Sequence, residues 1–300
     1  GQRISSHADM LRYFEALQDA QPTRIKLFEY GESWEGRKLI YVVIGNEQNI
    51  ANLTQFTRDM QALSDPRNIK SSKANSLIES LPGSVWLQYG VHGNEISSTD
   101  AAMMTAYHLL AGTGDATVDN IMENNLVFID PLQNPDGRSR FIAHYYSTVG
   151  IMHSDDRLSA EHNEPWPNGR TNHYLFDLNR DWLPITQPET KGRIASINKY
   201  HPIVVVDLHE MRGDKSYYFA PSAQPVTPNL SQAQKDNIDT IGRNNAKHFD
   251  KNGIDYFTRE IFDSFYPGYG VSWPTFTGAA TSTYEVASAS GEKFKRLNGT

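Results

Sequence analysis

A histidine and a glutamate, His92 and Glu95, lie three positions apart directly after an apolar segment of the sequence. An imidazole nitrogen and a carboxylate oxygen are both zinc ligands, and a four-coordinate zinc with three protein ligands keeps one position open for water. Gly93 between them favours a tight turn, which would bring both side chains to one ion. Because such a pair often arises by chance, it predicts a metal site only if a further ligand exists.

A second strand-like run ends in a histidine. The β-branched residues 203–206 lead through Asp207 and Leu208 to His209. Parallel strands of an open α/β sheet present functional groups at their carboxyl ends, so His92 and His209 can meet although they are distant in sequence. We therefore predict that His92, Glu95 and His209 bind one zinc ion and leave a coordination position open, as in catalytic sites.

A hydrolytic zinc site also needs a base that takes a proton from the attacking water. Glu285 lies in a strand-like run between Tyr284 and Val286, and partial burial would hold its pKa near the operating pH. Glu210 competes because it adjoins His209, but successive side chains of a strand point in opposite directions. We therefore predict Glu285 as the base.

Five segments of the sequence resemble, in order, the motifs of zinc carboxypeptidases of the carboxypeptidase A-like family. They are His92-Gly93-Asn94-Glu95, Asn134-Pro135-Asp136-Gly137, Asp177-Leu178-Asn179-Arg180, Val206-Asp207-Leu208-His209 and Thr283-Tyr284-Glu285. The resemblance implies the same three zinc ligands and the same base. It further implies that Asn179 and Arg180 bind the terminal carboxylate of the substrate and that Asp177 orients a ligand histidine.

Two roles of that family have more than one match in this sequence. The arginine that polarises the scissile carbonyl is assigned to Arg170, with Arg138 and Arg140 as alternatives. The tyrosine that covers bound substrate is assigned to Tyr266, with Tyr269 as the reserve.

Composition limits the classes of protein. An apolar share of 38% and a charged share of 21% over 300 residues are ordinary for a soluble globular enzyme. The net charge of −7 and the lack of a basic run argue against a nucleic-acid partner. The sequence has no cysteine, which excludes disulfides and thiol catalysis, and no apolar run long enough to span a membrane. The polar start at Gly1 suggests a removed signal peptide, so we expect a periplasmic or secreted protein, while a cytoplasmic location stays open.

Alternating strand and helix patterns predict one domain over residues 1–300, an α/β protein built as a three-layer α/β/α sandwich. The resemblance sharpens this to a mixed, mostly parallel, eight-stranded twisted sheet. A helix over residues 97–110 should be capped by Ser97 or Ser98, and residues 138–184 should form a long loop along the active site. Few residues follow Glu285, so the C-terminal helix of the family is missing, and we expect either a truncated chain or a different cover for the sheet.

The reaction expected from these features is zinc-dependent hydrolysis of the peptide bond next to a free C-terminal carboxylate, with a peptide or peptide-like substrate. The alternative is a zinc amidohydrolase that acts on cell-wall peptides or N-acyl amino acids. A third hypothesis is a non-catalytic binding module, but the presence of both histidines, Glu95 and Glu285 argues against it.

Overall fold

The structure, a computed structural model, describes residues 3–299. The α-helices within this range are α1 His7–Ala20, α2 Glu47–Ala51, α3 Leu53–Ser64, α4 Ser71–Ser80, α5 Ser97–Ala111, α6 Ala116–Asn124, α7 Pro135–Thr148, α8 Pro188–Tyr200 and α9 Gln232–Asn252. The strands are β1 Ile25–Glu32, β2 Lys38–Ile44, β3 Gly83–Tyr89, β4 Asn125–Asp130, β5 Val204–Met211, β6 Tyr217–Phe219, β7 Ala223–Val226, β8 Tyr256–Phe257, β9 Asp263–Ser264 and β10 Ala280–Ala287. Short 3-10 helices cover Pro66–Asn68, Ala160–His162, Leu178–Arg180 and Trp273–Thr277.

Eight of these strands form one mixed sheet in the order β1-β2-β4-β3-β5-β10-β6-β8. The central strands β4, β3, β5 and β10 are parallel neighbours, whereas β1, β2 and β6 join antiparallel. The predicted mixed eight-stranded sheet is therefore confirmed. Its parallel centre places the carboxyl ends of β3, β5 and β10 side by side.

Helices cover both faces of the sheet, because its central strands are apolar on both sides. Val127 and Ile129 of β4 pack with α1, α5 and α6 in one buried cluster. Phe128, which alternates with them, packs on the other face with α3 and α8, where its ring stacks on Trp86 at a centroid distance of 5.3 Å. The three-layer α/β/α architecture follows from these two clusters.

Two sequence-based expectations about local structure were wrong. Residues 138–148 belong to helix α7 instead of a loop; Asn134 caps this helix by accepting a hydrogen bond from the Gly137 N–H at 2.9 Å. Its apolar periodicity is weak because several of its buried residues are polar or small, so the pattern did not reveal it. Helix α5 has no side-chain cap from Ser97 or Ser98: the Ser97 N–H instead donates to the carboxylate of Glu210 at 2.6 Å.

The residues after α7 are mostly irregular up to α8, as expected for the active-site wall. Residues 288–299, which follow β10, contain no α-helix or strand. Within residues 3–299, no helix has both the length and the apolar character that a membrane span requires.

Candidate metal and hydrolytic site

The two predicted ligand histidines meet at the carboxyl ends of neighbouring parallel strands. His92 follows β3 and His209 lies near the end of β5, in a register that pairs Tyr89 with Leu208. The two imidazole centroids are 5.1 Å apart, and both rings are buried. His92, Glu95 and His209 each offer a ligand atom, and these atoms lie within 4.8 Å of one another.

The turn that brings Glu95 to His92 depends on two glycines. Gly90 has a φ of +65°, a conformation that other residues rarely adopt, and it lets the chain leave β3 sharply. At Gly93, a Cβ atom would lie 2.1 Å from the backbone nitrogen of Arg138, because the start of α7 packs directly on the turn. The turn then closes with a hydrogen bond from the Glu95 N–H to the His92 carbonyl at 3.2 Å.

Both imidazoles present the same nitrogen to the shared carboxylate. Nδ1 of His92 lies 2.6 Å from Oε1 of Glu95, and Nδ1 of His209 lies 3.0 Å from Oε2 of the same glutamate. On the other side of each ring, Nε2 faces a second carboxylate: Asp177 at 3.0 Å from His92 and Asp207 at 2.8 Å from His209. A carboxylate at Nε2 keeps the proton there and leaves Nδ1 free to bind a metal.

Asp207 was not singled out in the sequence, although a signal existed. It precedes His209 by two residues on β5, so both side chains lie on the same face of the strand. Its side chain is 2% exposed. Asp177, by contrast, has the position expected from the resemblance.

The carboxylates around the two ligand histidines favour positive charge at this site. Burial would raise the pKa of the Glu95 carboxyl, but His92 and His209 outweigh burial and lower that pKa far below its usual range. Burial would likewise lower the pKa of His209, yet Asp207 and Glu95 raise it well above the ordinary value. A buried, ionised carboxylate between two imidazoles is a nitrogen and oxygen donor set that zinc favours, so the residues present fit this metal.

Glu285 lies beside the ligand cluster, in parallel register with His209 on the adjacent strand β10. It is 7% exposed and lines the same cavity, which has a volume of about 440 Å³. Burial raises the pKa of Glu285 to about 7, and Glu95 contributes in the same direction. Glu210, the competing candidate, accepts hydrogen bonds from the Ser97 N–H and the Ser288 hydroxyl.

Arg170 is the candidate arginine that reaches the ligand residues. Its Nη2 lies 2.9 Å from Oδ2 of Asp177, and its Nη1 lies 3.3 Å from Nδ1 of His92. Arg138 is buried and donates to the backbone carbonyls of residues 5 and 96. Arg140 donates to carbonyls of residues 168–173. The guanidinium groups of both alternatives therefore hold the backbone together.

Asn179 and Arg180 both line the cavity. Oδ1 of Asn179 accepts a hydrogen bond from the Gly270 N–H at 2.7 Å, and its Nδ2 lies 3.3 Å from Nε2 of His209. The Arg180 guanidinium donates to the carbonyl of Asn179 at 2.9 Å and lies 4.6 Å from the centroid of the Tyr269 ring.

The structure brings Tyr269, the reserve candidate, to the cavity wall and places Tyr266 outside the set of lining residues. The Tyr266 hydroxyl donates to the backbone carbonyl of Arg180 at 3.2 Å, and its ring packs edge-on against Tyr269. Tyr266 therefore contacts two residues of the cavity wall, Arg180 and Tyr269. Arg212 and Ile261 also line the cavity, and no sequence motif had indicated either of them.

Comparison with known proteins agrees with this geometry. A family model described as zinc carboxypeptidase matches residues 10–204. A curated relative, carboxypeptidase 2 of Trichophyton rubrum, is 24% identical over 133 residues, which cover 44% of this chain and 19% of that protein.

Two solved structures that are similar to this chain are those of carboxypeptidases. The metallo-carboxypeptidase from Burkholderia cenocepacia has a TM-score of 0.63 and 15% identity, over 94% of this chain and 60% of that one. Carboxypeptidase A from Helicoverpa armigera has a TM-score of 0.61 and 16% identity, over 94% of this chain and 64% of that one. At this identity the likeness shows a shared fold. The chain spans less than two thirds of the length of these proteins.

Proposed function

Because this chain belongs to the zinc carboxypeptidase family, we propose that it is a metallocarboxypeptidase that hydrolyses the peptide bond next to a free C-terminal carboxylate. The observation that carries the proposal is the convergence of three functions in one cavity. The ligand set of His92, Glu95 and His209, the buried carboxyl of Glu285 and the guanidinium of Arg180 all line it.

A zinc ion held by His92, Glu95 and His209 supplies Lewis-acid activation of water and of the substrate carbonyl when it is bound. The protein contributes the proton transfers. The Glu285 carboxylate accepts a proton from the attacking water and returns it to the amide nitrogen of the leaving amino acid. A pKa raised to about 7 suits both steps, since a group that must accept and then donate a proton works best near the operating pH.

Arg170 supplies positive charge where the carbonyl oxygen gains negative charge. Its guanidinium is held in place by Asp177, so little reorganisation is needed during the reaction. Removal of one well-placed donor of this kind typically lowers kcat by about 100- to 1000-fold.

Recognition of the substrate carboxylate is assigned to Arg180 and Asn179. Arginine offers a planar fork of N–H donors that matches the two oxygens of a carboxylate. Nδ2 of Asn179 adds a further donor beside it. We propose Tyr269, in place of Tyr266, as the tyrosine that lies against bound substrate, because its ring lines the cavity next to Arg180.

The test is metal-dependent release of C-terminal amino acids. Purified protein, stripped of metal and reloaded with zinc, is incubated with a peptide and with the same peptide carrying a C-terminal amide. We expect release from the free acid only, and loss of release after chelation. Equal cleavage of both peptides, or cleavage within the peptide, would contradict the proposal.

The same panel can include N-acyl amino acids and cell-wall peptides, which the alternative amidohydrolase would prefer. The family match and the similar structures do not favour that alternative. A periplasmic or secreted location stays a prediction.

A further inference from the structure

A chain of buried side-chain amides lies beneath the catalytic cavity, and the mechanism above does not use it. Gln88 of β3 is completely buried. Its Nε2 donates to the backbone carbonyl of Gly270 at 3.2 Å, and its Oε1 accepts from Nε2 of Gln133 at 3.4 Å. Gln88 thus connects the strand that leads to His92 with the loop that carries Tyr269.

The direction of these hydrogen bonds is fixed by Arg193, which lies at the end of this series of amides farthest from Gly270. Arg193 is buried and can only donate, and its Nη1 donates to Oε1 of Gln133 at 2.6 Å. The amide nitrogen of Gln133 must therefore face Asp130, at 3.1 Å, and Gln88. Gln88 in turn can only present its NH2 group to the carbonyl of Gly270.

The backbone of Gly270 in turn orients the Asn179 amide at the candidate carboxylate site. Its N–H donates to Oδ1 of Asn179 at 2.7 Å, so the amide of Asn179 must turn its Nδ2 donor the other way. A carboxylate accepts hydrogen bonds only, so a donor is what its recognition requires.

The loop approaches the sheet so closely that a side chain at position 270 would displace its neighbours. A Cβ atom at position 270 would lie 2.7 Å from Oδ2 of Asp207, 3.0 Å from Nε2 of Gln88 and 3.1 Å from Nε1 of Trp182. The residues on either side of Gly270, Tyr269 and Val271, both line the cavity. A shift of the loop would therefore move the cavity wall itself.

We propose that Gln88 and Gly270 are positioning residues for recognition of the substrate carboxylate. Gln88 clamps the loop 269–271 to β3 through the Gly270 carbonyl. The clamped loop holds Tyr269 beside Arg180 and fixes the Asn179 amide with its N–H donors available. Neither Gln88 nor Gly270 needs to touch the substrate. This inference rests on the proposed function, since it assigns the carboxylate site to a carboxypeptidase.

The test compares Gln88→Met with the unaltered zinc-loaded protein. Methionine keeps the approximate shape of the side chain and removes its hydrogen bonds. For a peptide with a free C-terminus, we expect KM to rise about tenfold, the size of one lost hydrogen bond, and kcat to change less than about threefold. The dissociation constant of benzylsuccinate, measured by calorimetry, should also rise about tenfold. Inhibition by acetohydroxamate, which binds zinc without a carboxylate to anchor, should not change.

Gln234→Met is the matched control. Gln234 is a buried glutamine whose Nε2 donates to the carbonyls of Thr275 and Ala279, and it does not line the catalytic cavity. Its replacement should lower the melting temperature and leave KM and benzylsuccinate binding unchanged. Gln88→Leu also removes both hydrogen bonds of Gln88 and should reproduce the selective loss if Gln88→Met does not fold.

Unchanged benzylsuccinate binding in whichever of Gln88→Met and Gln88→Leu folds would overturn the inference. An equal loss of benzylsuccinate and acetohydroxamate would overturn it as well, because it would indicate a general disturbance of the metal site. Failure of the proposed function is distinct: the unaltered protein would then release no C-terminal amino acid.

Discussion

Replacement of Asp207 by asparagine should weaken zinc binding more than the same replacement of Asp177. Each carboxylate faces Nε2 of one ligand histidine, at 2.8 Å from His209 and at 3.0 Å from His92. Asparagine keeps the size and shape of the aspartate side chain and removes its charge, so the substitution tests the charge behind each ring. Mutation of a residue that hydrogen-bonds a metal ligand typically lowers metal affinity by about 10- to 100-fold.

The surroundings of the two carboxylates decide where each falls in that range. The Asp207 side chain is 2% exposed, so its charge acts on His209 with little screening by water. The Asp177 side chain is 22% exposed, and Arg170 at 2.9 Å and Arg180 at 4.0 Å offset part of its charge. We expect a loss of about 100-fold, or about 2.7 kcal/mol, for Asp207→Asn and about tenfold, or about 1.4 kcal/mol, for Asp177→Asn.

The assay is zinc competition against a chromophoric chelator, with both variants and the unaltered protein stripped of metal. Asp181→Asn serves as the control, because Asp181 is a buried aspartate that accepts hydrogen bonds from the backbone at Thr186 and Gln187. Zinc affinity of Asp207→Asn within twofold of the unaltered protein would refute the reasoning. So would a larger loss for Asp177→Asn than for Asp207→Asn.

Three further predictions concern catalysis, packing and pH. Glu285→Gln should retain its zinc, measured by metal analysis, and lose about 100- to 10,000-fold in kcat as expected for a missing general base; near-normal turnover would contradict that role. Gly93→Ala should lower the melting temperature by several degrees or prevent folding, because the new methyl group would meet the backbone of Arg138 at 2.1 Å. The control is Gly114→Ala, which has open space around its Cα but a φ of +89°, and it should lower the melting temperature far less. Burial raises the pKa of Asp130 to about 7, so the folded protein holds this proton more tightly than the unfolded chain. The free energy of unfolding should therefore fall by on the order of 1–3 kcal/mol as pH rises from about 4 to about 7. Denaturant titrations of Asp130→Asn should lack that part of the fall, and the same pH profile in both proteins would contradict the prediction.

The residues that could be predicted from the sequence are those whose position follows from one strand end. His92 follows an apolar strand and His209 ends a β-branched one, and parallel strands bring such ends together without further information. Glu285 followed in the same way from β10. Asp207 was equally accessible from the alternation along β5, but a buried aspartate before a histidine has no distinct signature without knowledge of the face on which it lies.

Residues on loops and in the buried polar layer could not be predicted in this way. The choice between Tyr266 and Tyr269 depends on how the loop 266–271 packs against β3, and that packing is set by Gln88 and Gly270, which are distant in sequence. Helix α7 was missed for a related reason. Its first turn is held by Asn134 and by contact with the glycine turn at residue 93, so tertiary contacts stabilise it where apolar periodicity does not.

Three glutamates at one edge of the sheet show how surroundings divide the chemistry of identical side chains. Glu95 lies between two imidazoles, which lower its pKa and keep it ionised as a metal ligand. Burial beside that negative charge raises the pKa of Glu285, so it can exchange a proton near neutral pH. Glu210 adjoins His209 in sequence, yet it points to the start of α5 and accepts the Ser97 N–H in place of a side-chain cap. Burial raises the pKa of Glu210 as well, but its two oxygens accept hydrogen bonds from the Ser97 N–H and the Ser288 hydroxyl. Glu210 therefore holds the fold together, and Glu285 carries out the proton transfers.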